Sequence, residues 1–289
     1  MISVSASLPP ELERHIFELT VLLHPVTGPK LILVAQRVYE WLLPFLYRQI
    51  DLIQETHVHT FLSAMASDRQ SLLLGVHDMV FPNTPTTRQH RVALYTGLRF
   101  CRNLSGLALA AFASSEILDH QTLASINLRR FTASLYPYLR TGIDQGLLLS
   151  AFQHLTHLHC LMDTGDNTDA LRRFIVQLPA LTHLALTWFT EPGYAERLAG
   201  ELPRLRVFIL AVTAAEFRGI SAESPVFDRA TFPELRDQRI VVSVFRQWYE
   251  GSLSNASVTG EKNLWDLAED FIEAKAAGSV PASELWARP

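Results

Sequence analysis

The chain has 289 residues, a net charge of −4 at pH 7 and a hydrophobic fraction of 48%. This fraction is enough for a core, and a charged fraction of 19% is low for a disordered chain. The acidic balance argues against a nucleic-acid-binding body, which normally carries a basic surface. The two cysteines, Cys101 and Cys160, are too few for a disulfide framework and suit a reducing compartment.

The sequence also argues against secretion and membrane insertion. Residues 1–7 lack the basic start and the apolar run of a signal peptide. No segment has eighteen consecutive apolar residues, the length that a membrane-spanning helix needs. We therefore expect a cytoplasmic or nuclear protein, or one found in both compartments.

The first fifty residues predict a small helical bundle. Leu8-Pro-Pro-Glu-Leu12 opens a helix, because prolines are tolerated in a first turn. One apolar stripe follows the helix, formed by Leu12, Ile16, Leu19 and Leu23. A loop at 24–29 precedes a second helix carrying residues 31–35, and a third contains Trp41. The bundle has more apolar surface than its own core needs, and such a surface normally meets a partner.

These residues resemble an F-box, a helical module of about fifty residues that docks on the Skp-type adaptor of cullin-based ubiquitin ligases. The resemblance rests on Leu8-Pro-Pro-Glu-Leu12, Ile16-Phe17, Leu33-Val34-Ala35, Arg37 and Trp41. Residues 44–52 are similar to the form found in basidiomycete fungal F-box-like proteins. The resemblance implies adaptor contacts from Leu8, Pro9, Leu12, Ile16 and Phe17, supported by Val34 and Trp41. The alternative is that residues 8–46 only cap the open end of a repeat array.

The body repeats one phrase, L-x-x-L-x-L, which is the strand signature of a leucine-rich repeat. It occurs at Leu155, Leu181 and Leu205, and further matches start at Leu104, at Leu123 and, with substituted apolar types, at Val76. Ile50 and Leu52 predict the first strand, and residues 240–245 predict the last. Since one unit cannot bury its apolar face alone, neighbouring units must stack into a parallel sheet.

The last element predicted is an amphipathic helix over residues 261–277, after a Ser/Asn/Gly-rich loop at 251–260. Trp265, Ala268, Phe271 and Ile272 share its apolar face. We expect this helix to fold back over the C-terminal edge of the array.

The densest group of potential metal ligands or catalytic side chains is His154, His157, His159 and Cys160. A zinc site is disfavoured because no second ligand cluster accompanies it, so we predict no metal and no cofactor. His157 and His183 occupy equivalent places in adjacent units and would lie about 5 Å apart on the concave face if the units stack in register. With His159 they form a candidate binding surface, whose charge would respond to mildly acidic pH. The alternative is that these are solvated histidines with no role.

Two arginine pairs, Arg129-Arg130 and Arg172-Arg173, each precede a phenylalanine. Such pairs can bind phosphate or stack on bases, but the acidic net charge favours solvated helix starts. Nucleotide-binding and nucleophile motifs are absent. An enzyme is therefore not expected, although a hydrolase with a histidine site at 154–160 stays as an alternative.

Together these features predict an α/β protein with three parts. A three-helix F-box-like module spans 7–48, an irregular leucine-rich-repeat-like solenoid with a parallel curved sheet spans 49–250, and a capping helix and tail span 261–289. The predicted function is substrate recognition for a ubiquitin ligase, with a Skp-type adaptor and an unknown protein target as partners and no catalytic residues. The alternative is a repeat-type binding module with no ligase role.

Overall fold

The structure is a computed structural model of the chain. It describes residues 8–66, 68–81, 95, 97–109, 120–135, 138–139, 145–161, 168–187, 192–213, 235–245 and 262–285. The predicted loop at 251–260 lies outside the described residues. The α-helices among these residues are α1 Pro10–Leu23, α2 Gly28–Leu31, α3 Gln36–Leu46, α4 Glu55–Ala66, α5 His120–Ala124, α6 Gln145–Ala151, α7 Thr168–Ile175, α8 Pro192–Glu201 and α9 Leu264–Ala276.

Among the described residues, eight strands form one parallel sheet, in the same order in space as in the chain. They are β1 Gln49–Asp51, β2 Asp78–Val80, β3 Gly106–Ala108, β4 Arg130–Ala133, β5 His157–Leu161, β6 His183–Thr187, β7 Val207–Thr213 and β8 Ile240–Phe245. Parallel neighbours need a crossover connection, and helices supply it in several of the units. The predicted α/β architecture of stacked repeats with a parallel sheet is confirmed, including its first and last strands.

The main core lies on one face of the sheet, between the strands and the crossover helices. Leu158, Leu184 and Phe208 stand in register on β5, β6 and β7 and are all fully buried. Phe152 adds an aromatic contact to the layer, with its ring centroid 5.0 Å from that of Phe131. The second and third apolar positions of the repeat phrase therefore belong to one continuous core, as such an array requires.

One predicted unit was assigned to the wrong residues. The match starting at Leu123 falls on helix α5 and the turn after it, and the strand comes later, as β4. The phrase that occupies the strand position begins at Leu128 and continues through Phe131 to Ala133, all of them buried. Leu128 lies 24 residues after Leu104 and 27 before Leu155, so the repeat is more regular than the earlier match suggested.

The N-terminal helices have a small core of their own, made of Val21, Val38 and Leu42. Phe17 and Trp41 are half-buried and pack against it. The side of α1 facing the bundle is therefore the one bearing Phe17 and Val21, while the predicted stripe starting at Leu12 faces solvent. The prediction of a helix over 31–35 is wrong, because α2 ends at Leu31 and a turn follows.

Helix α9 begins at Leu264, close to the predicted start, because Asn263 caps it. The Asn263 side chain accepts hydrogen bonds from the backbone N–H groups of Trp265 and Asp266, at 2.8 and 2.9 Å, and Asp266 completes a capping box. The predicted buried side chains of α9 are confirmed, with Trp265 and Ala268 buried and Phe271 and Ile272 partly buried. Its position differs from the prediction, since it packs on the faces of β7 and β8 instead of closing the edge of the array.

Candidate functional site

Four of the seven predicted adaptor-binding residues are large apolar side chains exposed on the N-terminal helices. They are Leu8, Leu12, Ile16 and Val34, each with more than half of its surface in solvent. Pro9 is also exposed, at the residue that precedes α1. Phe17 and Trp41 instead pack against the small core of the bundle. The structure thus separates the predicted set into residues available to a partner and residues that hold the helices together.

Several exposed apolar residues beside these were not among the predicted contacts. Leu19 and Leu23 continue the line of Leu12 and Ile16 along α1, and Leu33 is 82% exposed in the turn after α2. We define the N-terminal apolar face as the exposed stripe of α1, formed by Leu12, Ile16, Leu19 and Leu23, together with Leu8 just before the helix. The signal for Leu19 and Leu23 was present in the sequence as the continued helical spacing, which predicted the stripe but not which way it faced.

The second face of the sheet, opposite the main core, carries a polar row on its early strands. Arg130 on β4 reaches across β3 and binds both carboxylate oxygens of Asp78 on β2, at 2.7 and 2.8 Å. Gly106 lies between them in register and has no side chain to obstruct the contact. Arg130 was predicted to be at a solvated helix start, which is wrong because it belongs to a strand and is ion-paired. Arg172 lies near the end of α7 and pairs with Glu201 at 2.6 Å.

The predicted juxtaposition of His157 and His183 is confirmed. The two residues are register partners on β5 and β6, and their rings stack with centroids 4.0 Å apart and planes inclined by only 5°. Trp265 of α9 meets both rings edge-on, at 5.3 and 5.8 Å. Each imidazole Nδ1 also lies 2.8 Å from a threonine hydroxyl, that of Thr156 or Thr182. The two imidazole rings are therefore held in place by the Trp265 ring and by the two threonine hydroxyls.

Burial and charge together keep this pair neutral. Burial lowers the pKa of His157 to about 3, and the neighbouring His183 and Arg130 lower it further in the same direction. The pKa of His183 is also lowered, chiefly by burial, although Glu269 opposes the shift by accepting a hydrogen bond at 3.0 Å and by its charge. Two neutral imidazoles can stack at this distance, whereas two protonated ones would repel each other.

His159 lies on the same face and is 1% exposed. Burial alone lowers its pKa to about 3, so it too is neutral near pH 7. His154 lies outside this buried group, in the turn before β5, where it is exposed. Within the described part of the chain no three potential ligands are grouped closely enough to hold a metal ion. The candidate binding histidines at 157, 159 and 183 thus belong to a face that is covered, and a binding role for them stays a prediction.

The cover over the later strands is α9. Leu264, Trp265 and Ala268 pack against a set of buried apolar side chains on β6, β7 and β8. These are Ala185, Val207, Ile209, Ala211 and Val241. Any ligand of this part of the second face would therefore meet α9 first. The helix had been predicted from the sequence, but nothing in its spacing indicates that it covers the histidines.

Comparisons with known proteins add little. No protein-family model matches the chain, and no curated protein matches it. Among solved structures, the leucine-rich repeat-containing protein LegL7 from Legionella pneumophila is similar over 68% of this chain, with 12% sequence identity and a TM-score of 0.38. The chain spans only 62% of the length of that structure. Similarity of this size supports no inference about function, so the architecture described above rests on strand order and register. In the described part of the chain, no helix combines the length and apolarity needed to cross a membrane.

Proposed function

We propose that this chain is a substrate-recognition subunit of a cullin-based ubiquitin ligase. In this proposal the N-terminal helices dock on a Skp-type adaptor and the repeat body binds a protein target. The protein itself performs no chemistry and acts by holding the target near the ligase, where the effective concentration is high. The observation that carries the proposal is the N-terminal apolar face, which agrees with the F-box resemblance of the same residues.

The exposure of this face supports docking on another protein. Leu12, Ile16 and Leu23 are 56, 54 and 72% exposed, although each could in principle have been turned toward a core. Burying one such side chain fully is worth about 1.5–3 kcal/mol, so a partner that covers several of them gains substantial free energy. Apolar surface gathered on one element in this way marks interaction sites more often than chance exposure does.

The composition of the bundle core supports the same conclusion. Val21, Val38 and Leu42 complete it without help from the apolar face, and Arg37 on α3 ties the helices together through Glu13 on α1 at 2.8 Å. The face is therefore not needed for the stability of the bundle. A partner could cover it without rearranging the helices.

The test is co-purification of the full chain with a Skp-type adaptor. The Leu12→Asp, Ile16→Asp double variant should lose binding by roughly 100-fold or more, because charges placed in an apolar contact cost several kcal/mol. Phe17 is left unchanged because it packs against the bundle core, and its loss would destabilise the module. The matched control is Leu74→Asp, since Leu74 is 46% exposed but lies in the 3₁₀ segment Asp68–Gly75 of the body.

Circular dichroism of each protein confirms folding before binding is compared. The docking proposal fails if the folded wild type does not bind the adaptor, or if the control loses binding as strongly as the double variant does.

A second candidate function is a repeat-type binding module in which the helices only cap the array. The contact between the module and the first repeat favours it. The backbone carbonyl of Arg48, just after α3, accepts hydrogen bonds from the N–H groups of His77 and Asp78 at 2.8 and 3.0 Å. At Gly75 a Cβ atom would come within 2.9 Å of the Pro44 carbonyl oxygen, so the two parts are closely packed. Failure of adaptor binding by a folded wild type would leave this candidate in place.

A further inference from the structure

The edge of the sheet at which the strands begin is regular from β1 to β7. The backbone carbonyl of Arg48, the residue before β1, accepts hydrogen bonds from the N–H groups of His77 and Asp78 at 2.8 and 3.0 Å. The same pair of bonds recurs at each step along the sheet as far as β7. We define the strand-entry row as the seven residues that share this position, namely Arg48, His77, Ser105, Arg129, Thr156, Thr182 and Arg206. Since register neighbours in a parallel sheet point the same way, their side chains leave the sheet in one direction.

The strand-entry row is positively charged although the chain is acidic. All seven side chains can donate a hydrogen bond, three of them are arginines and none is a carboxylate. The whole chain, by contrast, has 29 acidic and 25 basic residues. The residues two positions before each member of the row also include no carboxylate, and they add one more arginine. They are Leu46, Gly75, Asn103, Asn127, His154, Ala180 and Arg204.

The three arginines of the row are accessible to a partner. Arg48 and Arg129 are exposed, and the Arg206 side chain keeps 69% of its surface in solvent. Within the described residues, neither Arg48 nor Arg129 has a carboxylate at ion-pair distance. Arg206 lies 3.9 Å from Glu269, which is too long for a hydrogen bond. The positive charge of the row is therefore not neutralised by ion pairs within this part of the chain.

The neighbouring imidazole at His77 responds to this charge. Burial lowers the pKa of His77, and the positive charge of Arg48 lowers it further, although Asp78 opposes the shift. The guanidinium of Arg48 thus acts on its neighbour in the row. A carboxylate placed beside Arg48 would meet the same positive field with the opposite, favourable sign.

The spacing of the arginines suits an extended peptide. Arg48, Arg129 and Arg206 precede β1, β4 and β7, so three strand spacings separate each from the next. Neighbouring strands lie about 4.8 Å apart, which places consecutive arginines about 14 Å apart. An extended peptide advances about 3.3 Å per residue, so roughly every fourth residue would reach an arginine. A nucleic acid is less well matched, because the row has no aromatic side chain on which a base could stack.

We propose that the strand-entry row binds an extended acidic segment of the target protein. Carboxylates about four residues apart would pair with Arg48, Arg129 and Arg206, whose guanidinium groups can donate two hydrogen bonds to each carboxylate. The inference rests on the proposed target-binding role of the repeat body and states which chemistry the target carries.

Fluorescence anisotropy at low ionic strength tests the proposal, with the full chain and no adaptor present. The probe is a labelled peptide of about ten residues, with glutamate at every fourth position and serine elsewhere. The Arg129→Gln, Arg206→Gln variant should bind it about tenfold more weakly than the wild type, because two charge-assisted contacts are lost. The matched control is Arg173→Gln, Arg197→Gln, which removes the same charge from exposed positions on α7 and α8. Its affinity should stay within about twofold of the wild type.

Circular dichroism confirms that each variant is folded before affinities are compared. The proposal is overturned if the wild type does not bind the acidic peptide, if a peptide with glutamine in place of glutamate binds equally well, or if both variants weaken binding to the same extent. Tighter binding of a single-stranded DNA of the same net charge, lost in the Arg129→Gln, Arg206→Gln variant, would identify a nucleic-acid surface and also overturn it. The adaptor takes no part in this assay, so failure here leaves N-terminal docking untouched, and failure of docking leaves this result untouched.

Discussion

Replacing His159 by glutamine should remove a specific part of the acid sensitivity of the fold. His159 is 1% exposed on the second face of the sheet, and burial lowers its pKa to about 3. In the unfolded chain its pKa returns to about 6.5. The unfolded state therefore binds a proton first as the pH falls, and the free energy of unfolding decreases. Above about pH 7 both states are neutral at this residue, so it causes no pH dependence there.

The size of the effect follows from linkage between protonation and folding. With these two pKa values, His159 should cost the wild type about 2 kcal/mol of unfolding free energy between pH 7 and pH 5. The loss begins below about pH 6.5 and continues to about pH 3, where the folded protein also takes up the proton. In a chain of this size, 2 kcal/mol corresponds to a decrease in Tm of about 3 °C.

The assay is thermal or urea unfolding at pH 7 and pH 5, with wild type, His159→Gln and His154→Gln compared. Glutamine does not titrate, so the His159 variant should lose about 2 kcal/mol less than the wild type over this interval. Other groups that titrate there contribute to both proteins and largely cancel in the difference. His154 is the matched control for the substitution itself, because it is exposed in the turn before the same strand, and its replacement should change the free energy of unfolding at pH 7 by less than about 0.5 kcal/mol. If wild type and His159→Gln lose the same free energy, His159 accepts its proton in the folded state and the burial argument is wrong.

Two further substitutions test the packing of the array. Leu184→Ala, in the middle of the main core, should lower the free energy of unfolding by about 2–5 kcal/mol in urea denaturation. Val176→Ala, at a 36% exposed position, is the control and should change it by less than about 0.5 kcal/mol. Similar losses in both variants would contradict the core assignment. Arg239→Lys should lower the free energy of unfolding by about 1–3 kcal/mol. The Arg239 guanidinium donates hydrogen bonds to three backbone carbonyls at the end of α8 and after it, at 2.8–3.1 Å. The ammonium group of lysine cannot make the same set of bonds, because it lacks the planar arrangement of donors. Arg206→Lys, whose side chain is 69% exposed, is its control, and an equal loss of stability there would refute a specific role for Arg239.

The sequence by itself determined the repeat architecture. The phrase at Leu155, Leu181 and Leu205 is a local pattern of apolar residues, and its period implies parallel strands that stack in chain order. The same is true of the stacked histidines, since His157 and His183 occupy equivalent places in adjacent units and stacking in register brings equivalent residues together. The amphipathic character of residues 264–276 was also readable, because helical spacing depends only on near neighbours.

Local patterns were insufficient where two overlapping stretches of the sequence both match the repeat phrase. The matches starting at Leu123 and at Leu128 have similar spacing, and the apolar residues of both are in the core. Only the tertiary packing places the strand, β4, in the later match. The orientation of α1 was undecided for a related reason. Leu12 and Ile16 form as regular a stripe as Phe17 and Val21 do, and the side that is buried depends on where α3 lies.

Tertiary structure alone decided the surroundings of the histidine pair. Glu269 is 86 residues from His183 along the chain. The spacing of the repeats does not encode this contact, because it depends on where α9 docks on the sheet. The sequence therefore predicted two adjacent imidazoles, and only the tertiary structure decided that Trp265 and Glu269 of α9 lie against them.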